Sequence, residues 1–146
     1  MKRKEFKITI DASREKVWQV LWDDATYPEW TAPFYEGSRA ETDWQEGSKV
    51  LFLSPDCSGM LSKIAVSRPF EFMSFEHQGM VNNGVEDTES DMAKEWAGAK
   101  EDYTLKTVDG KTELVLEMDI SEEYLDEFLK TWPKALGKVK ELAEGV

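Results

Sequence analysis

One cysteine, Cys57, and one histidine, His77, are the whole thiol and imidazole complement of this 146-residue chain. A lone cysteine excludes an internal disulfide. With a single, distant histidine it also excludes a multi-cysteine metal site, which suits a reducing compartment. Positive charge is scarce too: 18 Lys and Arg stand against 30 Asp and Glu, for a formal net charge of −12. That balance repels a phosphate backbone and an anionic membrane surface, so nucleic acid is not an expected partner. No apolar run approaches the roughly 18 residues needed to cross a bilayer, and no membrane span is expected. The opening "MKRKEFKITI" leads into a strand pattern without a signal-peptide apolar region, so the expected location is the cytoplasm.

What is present is enough apolar residue, 40% of the chain, for one core, and the expectation is a single domain over residues 1–146. "EFKITID" alternates Phe6, Ile8 and Ile10 against Lys7 and Thr9, which predicts a strand with one buried face. "ASREKVWQVLWDD" offers Ser13 as a helix cap and Val17, Val20 and Leu21 at helical spacing. "TYPEWTAPFYEGS" predicts a second short helix or turn, anchored by aromatics and ended near Gly37. From Ser38 to Ile120 alternating runs and turn signals predict an antiparallel meander, with strands near 38–43, 48–53, 60–67, 71–80, 100–108 and 112–120. Period-two alternation turns Val50, Phe52, Ile64, Val66, Met73, Phe75, His77, Tyr103, Leu105, Leu114, Leu116, Met118 and Ile120 inward. Lys49, Lys63, Glu76, Thr104, Lys106, Glu117 and Asp119 lie on the solvated face.

Residues 82–98, "NNGVEDTESDMAKEWAG", interrupt the meander. They read as a mobile, solvated acidic loop with one anchoring Trp, or alternatively as a loop whose second half is a short helix capped by Ser90 or Asp91, with Met92 and Trp96 on one side. The final segment "EEYLDEFLKTWPKALGKVKELAEGV" contains Pro133, which removes a helical hydrogen bond. Leu125, Phe128, Leu129, Trp132, Leu136, Val139 and Ala143 nevertheless keep one stripe in phase across it. The expectation is therefore one helix bent at the proline, its stripe laid against the sheet.

The elements together predict an α+β fold: a curved antiparallel sheet of about seven strands wrapped around a long C-terminal helix, with two short helices after the first strand. A resemblance sharpens this. "ITIDASREKVWQVLWDDATYPEW" resembles the opening of SRPBCC (START-like, birch-pollen-allergen-like) proteins, through Ile10, Ala12, Val17, Trp18, Leu21, Tyr27 and Trp30. "DWQEGSKVLF", "GMLSKIAVSRPFEFMSFEH" and "TWPKALGKVKELAE" look like the activator of heat-shock-protein-90 ATPase homologue branch, the last through Trp132, Leu136, Val139, Lys140 and Ala143. The resemblance covers nearly the whole chain, implies the helix-grip fold, and rests on packing motifs.

Chemistry-bearing constellations are few. "SPDCSG" around Cys57 has turn composition, with no helix N-terminus or cationic neighbour to activate a thiol. The Glu86–Asp91 run lacks the glycine placement of a calcium loop, and "GVEDTES" is not a phosphate loop. No catalytic residue, metal or cofactor is expected. His77 is the sharpest polar candidate, either as a ligand contact or as a histidine satisfied by Tyr103, a serine or a backbone carbonyl. Six Trp, seven Phe and four Tyr make aromatic lining the informative signal. The expected function is a non-enzymatic domain holding a small apolar or aromatic ligand between sheet and C-terminal helix, lined by Trp30, Phe34, Phe52, Phe75, His77, Tyr103, Phe128, Leu129 and Trp132. The alternatives are a chaperone-linked interaction module, which the branch resemblance implies, and an aromatase/cyclase-type enzyme using His77 and Tyr103.

Overall fold

The alternating residues of "EFKITI" form the first strand, β1 (Lys2–Ile10), with Phe6, Ile8 and Ile10 packed into the core. Ser13 then starts α1 (Arg14–Trp22): its hydroxyl accepts from the Lys16 amide at 3.2 Å, satisfying one free donor of the first turn. A second helix, α2 (Tyr27–Thr31), has Pro28 in its first turn, where a missing N–H costs nothing. The two helices are sewn together. The Thr26 hydroxyl donates to the Val20 carbonyl at 2.6 Å and the Trp30 indole to the Leu21 carbonyl at 3.1 Å, so the last carbonyls of α1 find partners.

The remaining strands are β2 (Arg39–Glu41), β3 (Lys49–Leu53), β4 (Gly59–Arg68), β5 (Phe72–Asn82), β6 (Val85–Asp87), β7 (Lys100–Val108) and β8 (Lys111–Ile120). In this computed structural model, which describes residues 1–145, they form one antiparallel sheet with β1. The order is β1-β8-β7-β5-β4-β3-β2, with β6 paired to β5. The sheet therefore has eight strands where the sequence predicts about seven. The extra strand is made by Asn83–Gly84, both at positive φ (49° and 83°), a two-residue turn that folds Val85 back onto Asn82. Asp109–Gly110 makes the same kind of turn between β7 and β8. On the solvated face Arg3 donates to Asp102 at 2.8 Å and to Asp119 at 3.1 Å, tying β1 to β7 and β8.

The acidic interruption is more ordered than the mobile loop the sequence predicts first. After β6, Ser90 caps α3 (Asp91–Trp96) by accepting from the Ala93 amide at 3.2 Å, the helical alternative. Trp96 is buried, but Met92 is 43% exposed, and Ala93 shares the packed face instead. Helix α3 is held against β5 by the Gly98 amide on the His77 carbonyl and the His77 amide on the Ala99 carbonyl, both 2.8 Å.

A 3-10 turn (Glu122–Tyr124) leads into α4 (Leu125–Glu144), one helix that continues through Pro133. Pro133 faces water, where the Leu129 carbonyl it leaves unpaired is solvated rather than orphaned. Trp132, Ala135, Leu136, Val139 and Ala143 form the buried stripe. Leu129, expected in that stripe, is 41% exposed although it lies two turns before buried Leu136, because the first part of α4, where Leu125 and Phe128 are only half-buried, is less covered. The stripe does not lie on the sheet alone: α4 packs on β1, α1 and α2. Its Trp132 ring reaches the sheet at Phe6 on β1 and Tyr103 on β7, 6.3 and 6.4 Å away. No helix among the described residues is long and apolar enough to cross a membrane.

Candidate functional site

Strand register brings four apolar side chains into one inward-facing row. Ala40 pairs with Phe52, Phe52 with Met60, and Met60 with Met80, across β2, β3, β4 and β5. All four are half-buried, whereas other inward residues of the sheet, such as Ile64, Met73 and Leu116, are fully buried. Phe34, just after α2, and Tyr124 and Phe128 at the start of α4 are half-buried too. Phe128 and Tyr124 stack with ring centroids 6.2 Å apart, and Phe34 meets Phe128 edge-on at 5.9 Å. These half-buried apolar side chains, two of them flexible methionines, are the candidate recess.

Behind the recess the rings close on one another. Phe34 meets Trp132 at 4.7 Å, Trp30 meets Trp132 at 6.1 Å, Tyr103 meets Trp132 at 6.4 Å, and Phe75 lies between Phe52 and Tyr103 at 5.0 and 6.0 Å. Trp30, Phe34, Phe52, Phe75, Tyr103, Phe128 and Trp132 thus come together, as core at one end and rim at the other. Leu129 stands outside this group. Two open surface grooves, of about 630 and 590 Å³, lie elsewhere: one beside Arg14, Arg68 and Lys106, the other beside Pro33 and Lys134.

His77 joins the rings from another side, through Trp96, which meets Tyr124 at 6.2 Å. Its Nδ1 lies 2.6 Å from the Ser62 hydroxyl, and its ring meets Trp96 edge-on at 6.0 Å. Burial pushes its pKa down to about 4, only partly opposed by Asp119, so the imidazole is neutral at neutral pH. Tyr103 has a different partner: its hydroxyl donates to Glu101 Oε2 at 2.8 Å. His77 and Tyr103 are therefore not hydrogen-bonded to each other, as a shared proton-transfer pair would be.

Glu101 is the residue that sequence reasoning missed. It faces inward on β7, two residues before Tyr103 and in register with Phe75 and Met118. The signal was available, because alternation places Glu101, Tyr103 and Leu105 on one face. Desolvation raises its carboxyl to about 7; the Tyr103 hydrogen bond opposes this and Asp102 adds to it. The Tyr103 phenol is pushed up by burial and by the same carboxyl, as is that of Tyr27. Two further polar groups sit in the ring cluster: the indole N–H groups of Trp22 and Trp132 are buried without a partner among the described residues.

Cys57 also differs from its sequence reading. The cation absent from its own stretch arrives from β2, where the Arg39 guanidinium donates to Sγ at 3.2 Å. The thiol is half-buried in the turn after β3, away from the recess.

A long helix gripped by an antiparallel sheet, with two short helices between the first two strands, defines a helix-grip fold. Among solved structures the chain is similar to the Aha1 dimer from Colwellia psychrerythraea, with a TM-score of 0.75 at 20% identity over 99% of this chain and 97% of that one. It is similar to protein MLL2253 from Mesorhizobium loti, with a TM-score of 0.76 at 13% identity over 99% and 98%. CalU16 from Micromonospora echinospora gives a TM-score of 0.69 at 17% identity over 98% of this chain and 66% of that one. At these identities the likeness is one of fold. No family model matches the sequence, and no curated protein matches it.

Proposed function

We propose that this chain is a non-enzymatic binding domain that holds a small apolar or aromatic molecule in the recess between the sheet and the start of α4. The observation that carries the reading is the half-buried row Ala40–Phe52–Met60–Met80, an inward sheet face that stays partly uncovered. A molecule seated there buries its own surface and that of the row, at roughly 25 cal/mol per Å² before the costs of association. Phe34, Phe52 and Phe128 are its rim, Phe75 and Tyr103 its floor, and Trp30 and Trp132 the support behind them. His77, tied to Ser62, is a positioning element of the floor.

Titration with 2-phenylethanol, followed through the methionine ε-methyl NMR signals, tests this. The Met60 and Met80 signals should move with saturation while those of the fully buried Met73 and Met118 stay put. Movement confined to the surface residue Met92, or none, would overturn the reading.

A second reading, a chaperone-linked interaction module, is favoured by the full-length fold likeness to the Aha1 dimer. The acidic surface would then meet a basic patch through salt-sensitive contacts. Recovery of no chaperone from lysate at low salt counts against it.

A further inference from the structure

Beside Phe75, whose ring meets Phe52 at 5.0 Å, Glu101 brings to the inner face a carboxyl oxygen that the protein does not pair. Glu101 Oε2 takes the Tyr103 hydroxyl, while Oε1 has no hydrogen-bond partner and is not among the sealed, unpaired atoms of the interior. None of the ion pairs among the described residues includes Glu101. Its register neighbours across the sheet are Phe75 and Met118, and Tyr103 leads on to Trp22 at 4.9 Å. A carboxylate in such surroundings is paired or gives up its charge. No Lys or Arg pairs with Glu101 among the described residues, whereas the Phe75 and Tyr103 rings beside it attract a cation.

We infer that the recess takes a small organic cation, an amine with an aromatic or apolar body, its ammonium on Glu101 Oε1 and its body against Phe52, Met60 and Met80. This rests on the binding reading above and adds the chemical class of the ligand. Two further observations agree with it. The whole-chain charge of −12 draws cations toward the surface and turns anions away. Desolvation raises the Glu101 carboxyl, and a bound ammonium would favour its ionised form. A neutral hydroxyl can donate to Oε1 but leaves the charge unanswered.

The test compares 2-phenylethylamine with 2-phenylethanol, which share a body and differ in the polar end, at pH 7.5 and moderate salt, by calorimetry and methionine-methyl NMR. The amine should bind about tenfold more tightly or better, as a charge-assisted contact in an enclosed site requires. Glu101→Gln, which keeps the shape, should abolish that preference, its fold being checked by the amide spectrum. In the wild-type protein, an alcohol that binds as tightly as the amine overturns the inference while leaving the binding reading intact. A preference that survives in Glu101→Gln also overturns it, because the field of the whole chain would then be its source. If neither compound binds, the binding reading falls and this inference with it.

Discussion

Glu101 and His77 are buried in opposite senses, and their linkage to pH runs in opposite directions over nearly the same range. Glu101 titrates near 7 in the folded protein, against an ordinary 4.5. Between those values the native state binds more protons than the unfolded one, so this carboxyl's contribution falls as pH rises from about 4.5 to 7. His77 titrates near 4, against an ordinary 6.5, so the unfolded state binds more protons and stability is lost as pH falls from 6.5 toward 4. The two slopes offset each other in the intact protein. Urea unfolding across pH 4.5–7 should therefore show each variant unmasking the other group. Relative to wild type, Glu101→Gln should gain stability progressively toward neutral pH, roughly 2–3 kcal/mol by pH 8. His77→Asn should lose the acid-side slope, apart from any uniform cost of losing the Ser62 contact. Parallel curves for wild type and Glu101→Gln would mean that the carboxyl is not enclosed.

At the scale of elements, the segment between β5 and β7 and the proline of α4 carry separate predictions. Ser90 supplies the only side-chain cap of α3, so Ser90→Ala should cost about 1 kcal/mol. The loss should be local: faster amide exchange over residues 91–96 and a looser Trp96, which packs on both His77 and Tyr124. Unchanged exchange there would deny the cap its role. Pro133 faces water with nothing packed over it, and Pro133→Ala restores a helical hydrogen bond. The expected result is a gain of about 1–2 kcal/mol in denaturant unfolding, less than the full helix-interior penalty because proline also restricts the unfolded chain. A loss of stability would show that the packing of Trp132 depends on the proline.

These same elements show which features were legible in sequence. The cap Ser13, the strand runs and the continuity of α4 through Pro133 are local patterns, and local patterns survive folding. The turn Asn83–Gly84 was legible too, yet three residues of β6 are too few to show alternation. The exposure of Leu129 was not, because a helical stripe is wider on paper than the surface available to cover it. Nor was the arrival of Arg39 at Cys57, or the Ser62 partner of His77, since both cross strands distant in sequence.

At the scale of the molecule, function turns on where α4 lies. Resting on β1, α1 and α2, it fills part of the grip with Trp132, Leu136 and Val139, while β3, β4 and β5 carry half-buried apolar groups. The fold class followed from the order of elements in the sequence. This division into filled and half-buried parts did not, because it depends on helix-to-helix packing that no local pattern encodes. The division also predicts that Met60→Trp fills the recess at little cost to stability, while a comparable enlargement at Val139 unfolds the protein. Native mass spectrometry of the protein taken from its own cells under non-denaturing conditions bears on the whole proposal. A small-molecule adduct should be retained by the wild-type chain and be absent from Met60→Trp; a bare wild-type mass, or an adduct unaffected by Met60→Trp, would contradict a ligand seated in the recess.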